Sequence, residues 1–407
     1  MPNVFENPDM VAASTLDHFE NNLVFAKLVD RQWESKFGIE GAKIGDTLRL
    51  RRHYNPDITT GNAFQATDIE DALRTLRIDT PIHVDYVIDN ADMALNFDKA
   101  EDRYFQPAGR RLANAIDAAI GALYKKVANF VGTYNTAPAA LTDFSSCVAR
   151  LDQFGVPPED RYFVLDPVTM NAAVVAMSAL FNNQQKIGEQ YTKGRMGKNV
   201  LGADWYTGQN VRAHTVGALG GIGQINGVPA SGAATIDTDT WTGAVTNLFL
   251  EGDIITIAGV NAVNPITGED LGILRQFVVT ADRSSTAGGA IAALPIDPAI
   301  INVGGRRTVS ALPADDAVIT HVTTGGGVVA NSPMYFHKHA FALAIAPQPP
   351  VKGVHASAMK TDPDGGGIGV RYAMWWDGDA NQFKVRFDVL YGLVAQMPEF
   401  ALRLGTS

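Results

Sequence analysis

Glycines flank Arg195 and Lys198 in YTKGRMGKNVLGADWYTGQNVRAHTVG (Tyr191–Gly217), the residue types of a loop that cradles phosphate. Such a loop requires a glycine five residues before its Gly-Lys pair and a Ser or Thr after the lysine. Backbone N–H groups then close on the phosphates while the hydroxyl reaches their metal. Thr192 and Asn199 stand at those two positions, so turns are expected rather than a nucleotide site. A second arrangement, RYFVLDPVTMNAAVVAMSALF (Arg161–Phe181), predicts strand, turn and helix. Its turn at Asp166-Pro167 has no glycine to let backbone approach a phosphate.

His337 and His339 in HKH would share one side of a strand, a geometry able to hold a metal. A metal centre needs further ligands. Only His321 and His355 are candidates, and spacing places neither, so surface histidines are expected and no metal is assigned. DGDAN (Asp377–Asn381) fits the first ligand positions of a calcium loop, yet Gln382 stands at its glycine and Asp388 at its closing glutamate. A hairpin turn is expected there, and a flexible turn at TDPDGGG (Thr361–Gly367). Cys147 falls in a helical pattern without a nearby base, and no Gly-x-Ser-x-Gly elbow occurs. No catalytic residue, cofactor site or enzyme activity is assigned.

What remains is charge. Asp68, Glu70 and Asp71 lie in NPDITTGNAFQATDIEDA (Asn55–Ala72), rich in turn formers and poor in core residues. Arg49, Arg51 and Arg52 precede it in DTLRLRRHY, where Leu48 and Leu50 alternate with arginines as on a strand with one polar face. TLRIDTPIHVDYVID (Thr75–Asp89) is the returning extended run. A basic strand and an acidic tip on one arm suit a complementary contact between copies of the chain. The competing reading is a solvated hairpin, since exposed charge pairs contribute little. Isolated hairpins are marginal in water, so the arm is expected to rest on a neighbour.

Other elements must hold this arm. Leu16, Phe19, Leu23, Ala26 and Val29 have the spacing of one helical face over Thr15–Trp33. Leu112, Ile116, Ala119, Leu123 and Val127 predict one long helix within Asp98–Phe130, with Pro107 at its first turn or at a kink. Phe144–Phe154 is a further helix. From Val216 the composition turns to Gly, Thr, Ala, Val and Ile with frequent turns, until aromatic-rich sequence returns near Asn331. That is the texture of a small antiparallel barrel or sandwich inserted in the chain. A strand, the Asp377–Asn381 turn, a strand Phe383–Tyr391 and a third strand to Leu404 predict a C-terminal meander.

The 407 residues are 19% charged and 46% hydrophobic, with a formal net charge of −10. That acidity argues against nucleic-acid binding by the whole molecule, which needs clustered Lys and Arg to neutralise phosphates. The single cysteine excludes an intrachain disulfide and a cysteine-based zinc site. Neither a signal peptide nor a membrane-spanning apolar run is expected, which points to a soluble protein of the cytoplasm.

Taken in order, these features resemble the major capsid proteins of tailed bacteriophages, which share the Hong Kong 97-type fold. Within them the chain looks most like the coat protein family of Salmonella podoviruses, whose subunit carries an inserted β-barrel. The resemblance is carried by LVDRQWESKFGIEGAKIGDTLRLRR (Leu28–Arg52), PAGRRLANAIDAAI (Pro107–Ile120) and KGRMGKNVLGADWYTGQNV (Lys193–Val211). GDIITIAGVNAVNPITGEDLGILRQFVV (Gly252–Val279) and VRFDVLYGLVAQMPEFALRL (Val385–Leu404) complete it.

The resemblance implies an α+β capsid fold with an N-terminal arm (1–36), an extended hairpin loop (37–93) and a peripheral domain with a spine helix (94–143). An axial domain (144–215 and 331–365), an inserted antiparallel β-barrel (216–330) and a peripheral C-terminal meander (366–407) follow. It implies pentamers and hexamers in an icosahedral virion shell around packaged double-stranded DNA, bound without sequence specificity and without a membrane. Assembly in the host cytoplasm would involve a separate scaffolding protein, a portal protein and, optionally, a decoration protein. Little chain precedes the first helical pattern, so a long cleavable N-terminal assembly segment is not expected. No lysine occurs between Asp46 and Asp89, which disfavours the lysine–asparagine cross-linking of some relatives. Inter-subunit contacts then fall to Arg49, Arg51, Arg52, Asp68, Glu70 and Asp71. The alternatives are an encapsulin-like shell, which generally lacks so large an insertion, and a hydrolase with an appended β domain, for which the motifs are missing.

Overall fold

The computed structural model describes residues 12–13, 15–17, 19, 23–32, 47–51, 62, 73–89, 105–177, 196–346, 348–354, 356–361 and 369–406. Its elements in chain order begin with α1 (Phe25–Leu28), β1 (Thr47–Arg51), β2 (Leu73–Arg77), β3 (Thr80–Asp89) and α2 (Gln106–Gly121). Next come β4 (Phe130–Val131), α3 (Leu141–Gln153), β5 (Arg161–Leu165), α4 (Pro167–Met177), β6 (Asp204–Thr207) and β7 (Ala213–Thr215). β8 (Gly221–Ile225), β9 (Ala233–Trp241), β10 (Ile254–Val263), β11 (Asp270–Val279), β12 (Ile291–Ile300) and β13 (Val318–His321) form a closed barrel. β14 (Val329–Asn331), β15 (Met334–His337), β16 (Phe341–Ala346), β17 (Ala356–Thr361), β18 (Gly369–Asp377), β19 (Gln382–Ala395) and β20 (Ala401–Leu404) complete the chain. Among the described residues no helix is long and apolar enough to cross a membrane.

The chain forms two compact units. The first comprises Met1–Leu50, Leu73–Ile120 and Phe341–Gln396. Its sheet runs β16-β19-β18-β17, and β3 pairs with β19 from Thr80↔Tyr391 to Asp89↔Gln382. One face of this sheet is charged: Arg386 holds Asp85 through two bonds of 2.8 Å. On the other, Phe387 meets Tyr372 and Phe105.

The second unit comprises Arg51–Ala72, Gly121–Ala340 and Met397–Ser407. Its sheet runs β4-β20-β15-β5-β6. Trp205, Phe163 and Tyr335 stack across three adjacent strands at centroid separations of 4.3 and 4.0 Å. Phe144, Cys147 and Leu151 of α3 pack on that stack, as an amphipathic helix should. The barrel has its own core, including Ile225, Ile236, Trp241, Phe249, Ile257 and Phe277. Gly223 admits the Trp241 ring, since a Cβ there would lie 1.9 Å from it.

Four sequence expectations need correction. The N-terminal helix is not continuous over Thr15–Trp33. The chain leaves helix at Leu23–Val24, and α1 starts afresh because Asp117 of α2 accepts from the N–H groups of Val24 (2.6 Å) and Ala26 (3.0 Å). α1 then stops where Asp30 donates to the Phe341 carbonyl. The returning run of the hairpin is two strands, with β2 on β1 and β3 on β19. The long helix does not extend to Phe130. It tightens to a 3-10 turn over Ala122–Lys126, and a Cβ on Gly121 would lie 2.5 Å from the Asn210 carbonyl oxygen. Its expected beginning, residues 98–104, lies outside the described residues. Last, β20 does not continue a meander from β19 but pairs with β15 and, in parallel, with β4.

Candidate functional site

The hairpin arm is seated by apolar residues that alternate with its charges. Leu50 and Leu76 are fully buried, and with Ile78 they pack on Ala342 and Ala344 of β16. Gly392 of β19 allows β2 to close in, because a Cβ there would lie 2.0 Å from the Arg77 carbonyl oxygen. Alternation then turns Arg49 and Arg51 outward, both exposed. Of the six candidate contact residues, these two are therefore brought onto one face. Arg52, Asp68, Glu70 and Asp71 lie outside the described residues.

The remaining sequence candidates fall as follows. Lys198 is exposed on a turn in which Trp205 Nε1 donates to the Val200 carbonyl (2.9 Å) and the Asn199 N–H to Asp204 (2.9 Å). Asn199, Leu201 and Gly202 all have positive φ there, so the stretch is a turn leading into β6. Arg195 lies outside the described residues, as do His355 and residues 362–367. His337 is not a surface residue: it is 4% exposed, and its Nδ1 accepts from the His339 N–H (3.2 Å). Asp377 of DGDAN organises a hairpin turn, accepting from the Asp379 N–H and from Lys384 (2.6 Å). Cys147 is buried on α3, where burial pushes its thiol up. Among the described residues no group of three or more His, Cys, Asp or Glu side chains is arranged to hold a metal.

A buried polar cluster escaped the sequence. Asp253, wholly buried just before β10, accepts at Oδ1 from His214 Nε2 (2.9 Å), and at Oδ2 from the N–H groups of Gly217 (3.1 Å) and Leu250 (2.8 Å). Tyr124 Oη meets His214 Nδ1 (3.2 Å), and Tyr134 Oη donates to the His214 carbonyl (2.6 Å). Arg403 of β20 donates to the Gly252 carbonyl (2.7 Å) and lies over the Tyr124 ring. Burial holds its pKa down to about 10. A Tyr–His–Asp chain of this kind has the parts of a proton relay. Sealed from solvent, it fixes β7 and the turn after it to the start of β10 at the root of the barrel. Lys125 and Lys126 pair with Glu251 alongside it, and Gln276 of β11 exchanges two hydrogen bonds with the Phe130 backbone. No local motif marks His214 or Asp253; the signal lies only in their proximity after folding.

Two buried histidines, His214 and His337, and the half-buried His321 set an acid limit. Burial lowers the pKa of His214, against the opposing pull of Asp253, and lowers those of His321 and His337, the last to about 4. A histidine whose folded pKa is below its unfolded value near 6.5 contributes stability that is complete above that pH and is lost as pH falls below it. His321 sits between Trp241 and Phe249, and neither ring nitrogen has a hydrogen-bond partner among the described residues. His321→Phe is therefore expected to unfold less readily than the parent at pH 5 while differing little at pH 7.5. Urea midpoints at the two pH values check this, and an unchanged difference would remove His321 from the account.

The protein-family description "P22 coat protein - gene protein 5" matches residues 7–404. Among solved structures, the chain is similar to one from Mycobacterium phage Che8 (14% identity, TM-score 0.48, covering 94% of this chain and 90% of that one). It is similar to one from the capsid of cyanophage P-SCSP1u (12% identity, TM-score 0.43, 89% and 84% covered). It is also similar to the CUS-3 coat protein I-domain (21% identity, TM-score 0.19, 26% and 100% covered). No curated protein sequence matches.

Proposed function

Because the chain belongs to the P22 coat protein family and is a major capsid protein of a tailed phage with a Hong Kong 97-like fold, we propose the following account of its shell. Copies associate as pentamers and hexamers into an icosahedral lattice enclosing double-stranded DNA, and the subunit acts structurally rather than as a catalyst. A separate scaffolding protein and a portal protein guide assembly in the host cytoplasm, and a decoration protein is an optional addition. DNA is enclosed without sequence-specific binding, in keeping with the net charge of −10. The inserted domain is the closed barrel of β8 to β13. The match across residues 7–404 carries this reading. Electron microscopy of the protein expressed alone and with its scaffolding partner tests it: closed shells are expected in the second case. Small uniform particles under both conditions would overturn it.

Arg49, Arg51 and Arg52, with Asp68, Glu70 and Asp71, are the proposed contact groups between subunits. Two exposed arginines on a seated strand support this, since charge complementarity directs encounter and register more than affinity. Reversing Arg51 and Arg52 to glutamate is expected to slow shell formation by about tenfold or more. The monomer's unfolding midpoint should hardly move. Unchanged assembly kinetics by light scattering would end the assignment.

A further inference from the structure

The outer face of β11 meets the end of α3 at a seam that buries two arginines. Arg275 of β11 is 5% exposed, and its guanidinium carbon lies 4.9 Å from the centroid of the Phe154 ring. Arg150, in the last turn of α3, places its guanidinium 5.9 Å from the same ring. Leu271 and Ile273 of β11 pack into the core that contains Phe154, so the seam is built rather than incidental. The Nε atoms of Arg150 and Arg275 are both buried, and neither has a hydrogen-bond partner among the described residues. Burial lowers both pKa values, that of Arg275 to about 10. The charge of Arg150 lowers Arg275 further, while Glu399 and Asp297 act to raise it. Those carboxylates are near, but neither accepts from the Arg275 Nε.

A buried guanidinium N–H without an acceptor is costly, and natural folds fill such a place with an ion or water. An aromatic ring covers only one face of the guanidinium plane and leaves its in-plane N–H groups for an acceptor. Those groups match the paired oxygens of an oxyanion, which arginine holds bidentately. We propose that this seam binds one small free oxyanion of the phosphate class, held by Arg275, with Arg150 as the second positive group. A duplex phosphate or a neighbouring subunit's side chain does not fit a group only 5% exposed. An inorganic ion can reach it beside Arg150, which is half-buried. The anion would tie β11 to α3, so its binding is read as stability of the second unit.

The test titrates inorganic phosphate against the full chain at constant ionic strength, with chloride as the reference salt. Thermal unfolding and phosphorus NMR line width are the readouts. A saturable rise in Tm with phosphate alone is expected, since a ligand of the folded state stabilises by mass action. Arg150→Gln should weaken phosphate binding by about tenfold or more, and Arg275→Met should abolish the saturable phase. Arg150 is the more exposed of the two, so its variant decides the matter if Arg275→Met fails to fold. Equal Tm in phosphate and chloride, or a saturable phase unchanged by Arg150→Gln, would overturn the proposal. Neither result bears on the capsid reading.

Discussion

Replacing Gly392 with alanine is expected to destabilise the first unit by roughly 2–3 kcal/mol, the upper range for overpacking a filled site. The added methyl would lie 2.0 Å from the Arg77 carbonyl oxygen, 2.7 Å from its carbon and 3.0 Å from the Ile78 Cα. All three are backbone atoms, so no rotamer change relieves the clash. Gly392 is itself held in register by pairing with Ala344 of β16. β2 must therefore lift, taking Leu76 and Ile78 off Ala342 and Ala344 and loosening the strand that presents Arg49 and Arg51. Gly378→Ala is the control: its nearest neighbour would be Trp376 Nε1 at 3.6 Å, ordinary contact, and it should be nearly neutral. Urea midpoints of the two variants, with shell yield by electron microscopy, test the argument. A Gly392→Ala midpoint equal to that of Gly378→Ala would show that the arm is not seated on β19.

Features carried by short periodicities were legible before the fold was seen. Leu48 and Leu50 alternate with Arg49 and Arg51 because a strand turns successive side chains to opposite faces. The frequent turns and β-branched residues after Val216 announce a small antiparallel barrel or sandwich for the same local reason, and tertiary pairing makes it the barrel. What was hidden depends on partners far away in sequence. The break before α1 is imposed by Asp117, more than ninety residues on, whose carboxylate accepts from the N–H groups of Val24 and Ala26. Gly121, at the end of α2, must be glycine because the Asn210 carbonyl, far on in sequence, leaves no room for a Cβ. Ala401–Leu404 has the same local pattern whichever sheet receives it, and only tertiary pairing with Met334–Phe336 decides. HKH looked like surface because its polarity is visible and its burial is not; His337 is enclosed at the end of β15 beside Phe400. Of the proposed contact residues, the alternation that turns Arg49 and Arg51 outward was readable in the sequence. No local pattern marked the polar cluster at the root of the barrel.

That cluster carries the largest single-residue effect expected in the second unit. Asp253→Ala should cost roughly 3–5 kcal/mol, since each of the several buried donors it leaves unsatisfied costs about 1–3 kcal/mol. The carboxylate is 0% exposed and gathers His214 and Gly217 from one stretch, Leu250 from the turn just before it, and Thr323 Oγ1 at 3.5 Å. Without it the donors are buried and unsatisfied, each costing more than its bond was worth. Asp253→Asn should recover part of the loss, because its amide oxygen can replace Oδ2 toward the Gly217 and Leu250 N–H groups while its N–H groups face His214 in place of an acceptor. His214→Ala should cost less, since Asp253 keeps its backbone partners. A double-mutant cycle between the two positions should give a coupling of about 1–3 kcal/mol. Hydrogen exchange should show protection lost first at Gly217 and along β10, which follows Asp253 directly. If Asp253→Ala lies within about 1 kcal/mol of the parent, the barrel is held by its apolar core and its Gln276 contacts to Phe130. The buried carboxylate would then be a consequence of the fold rather than a cause of it.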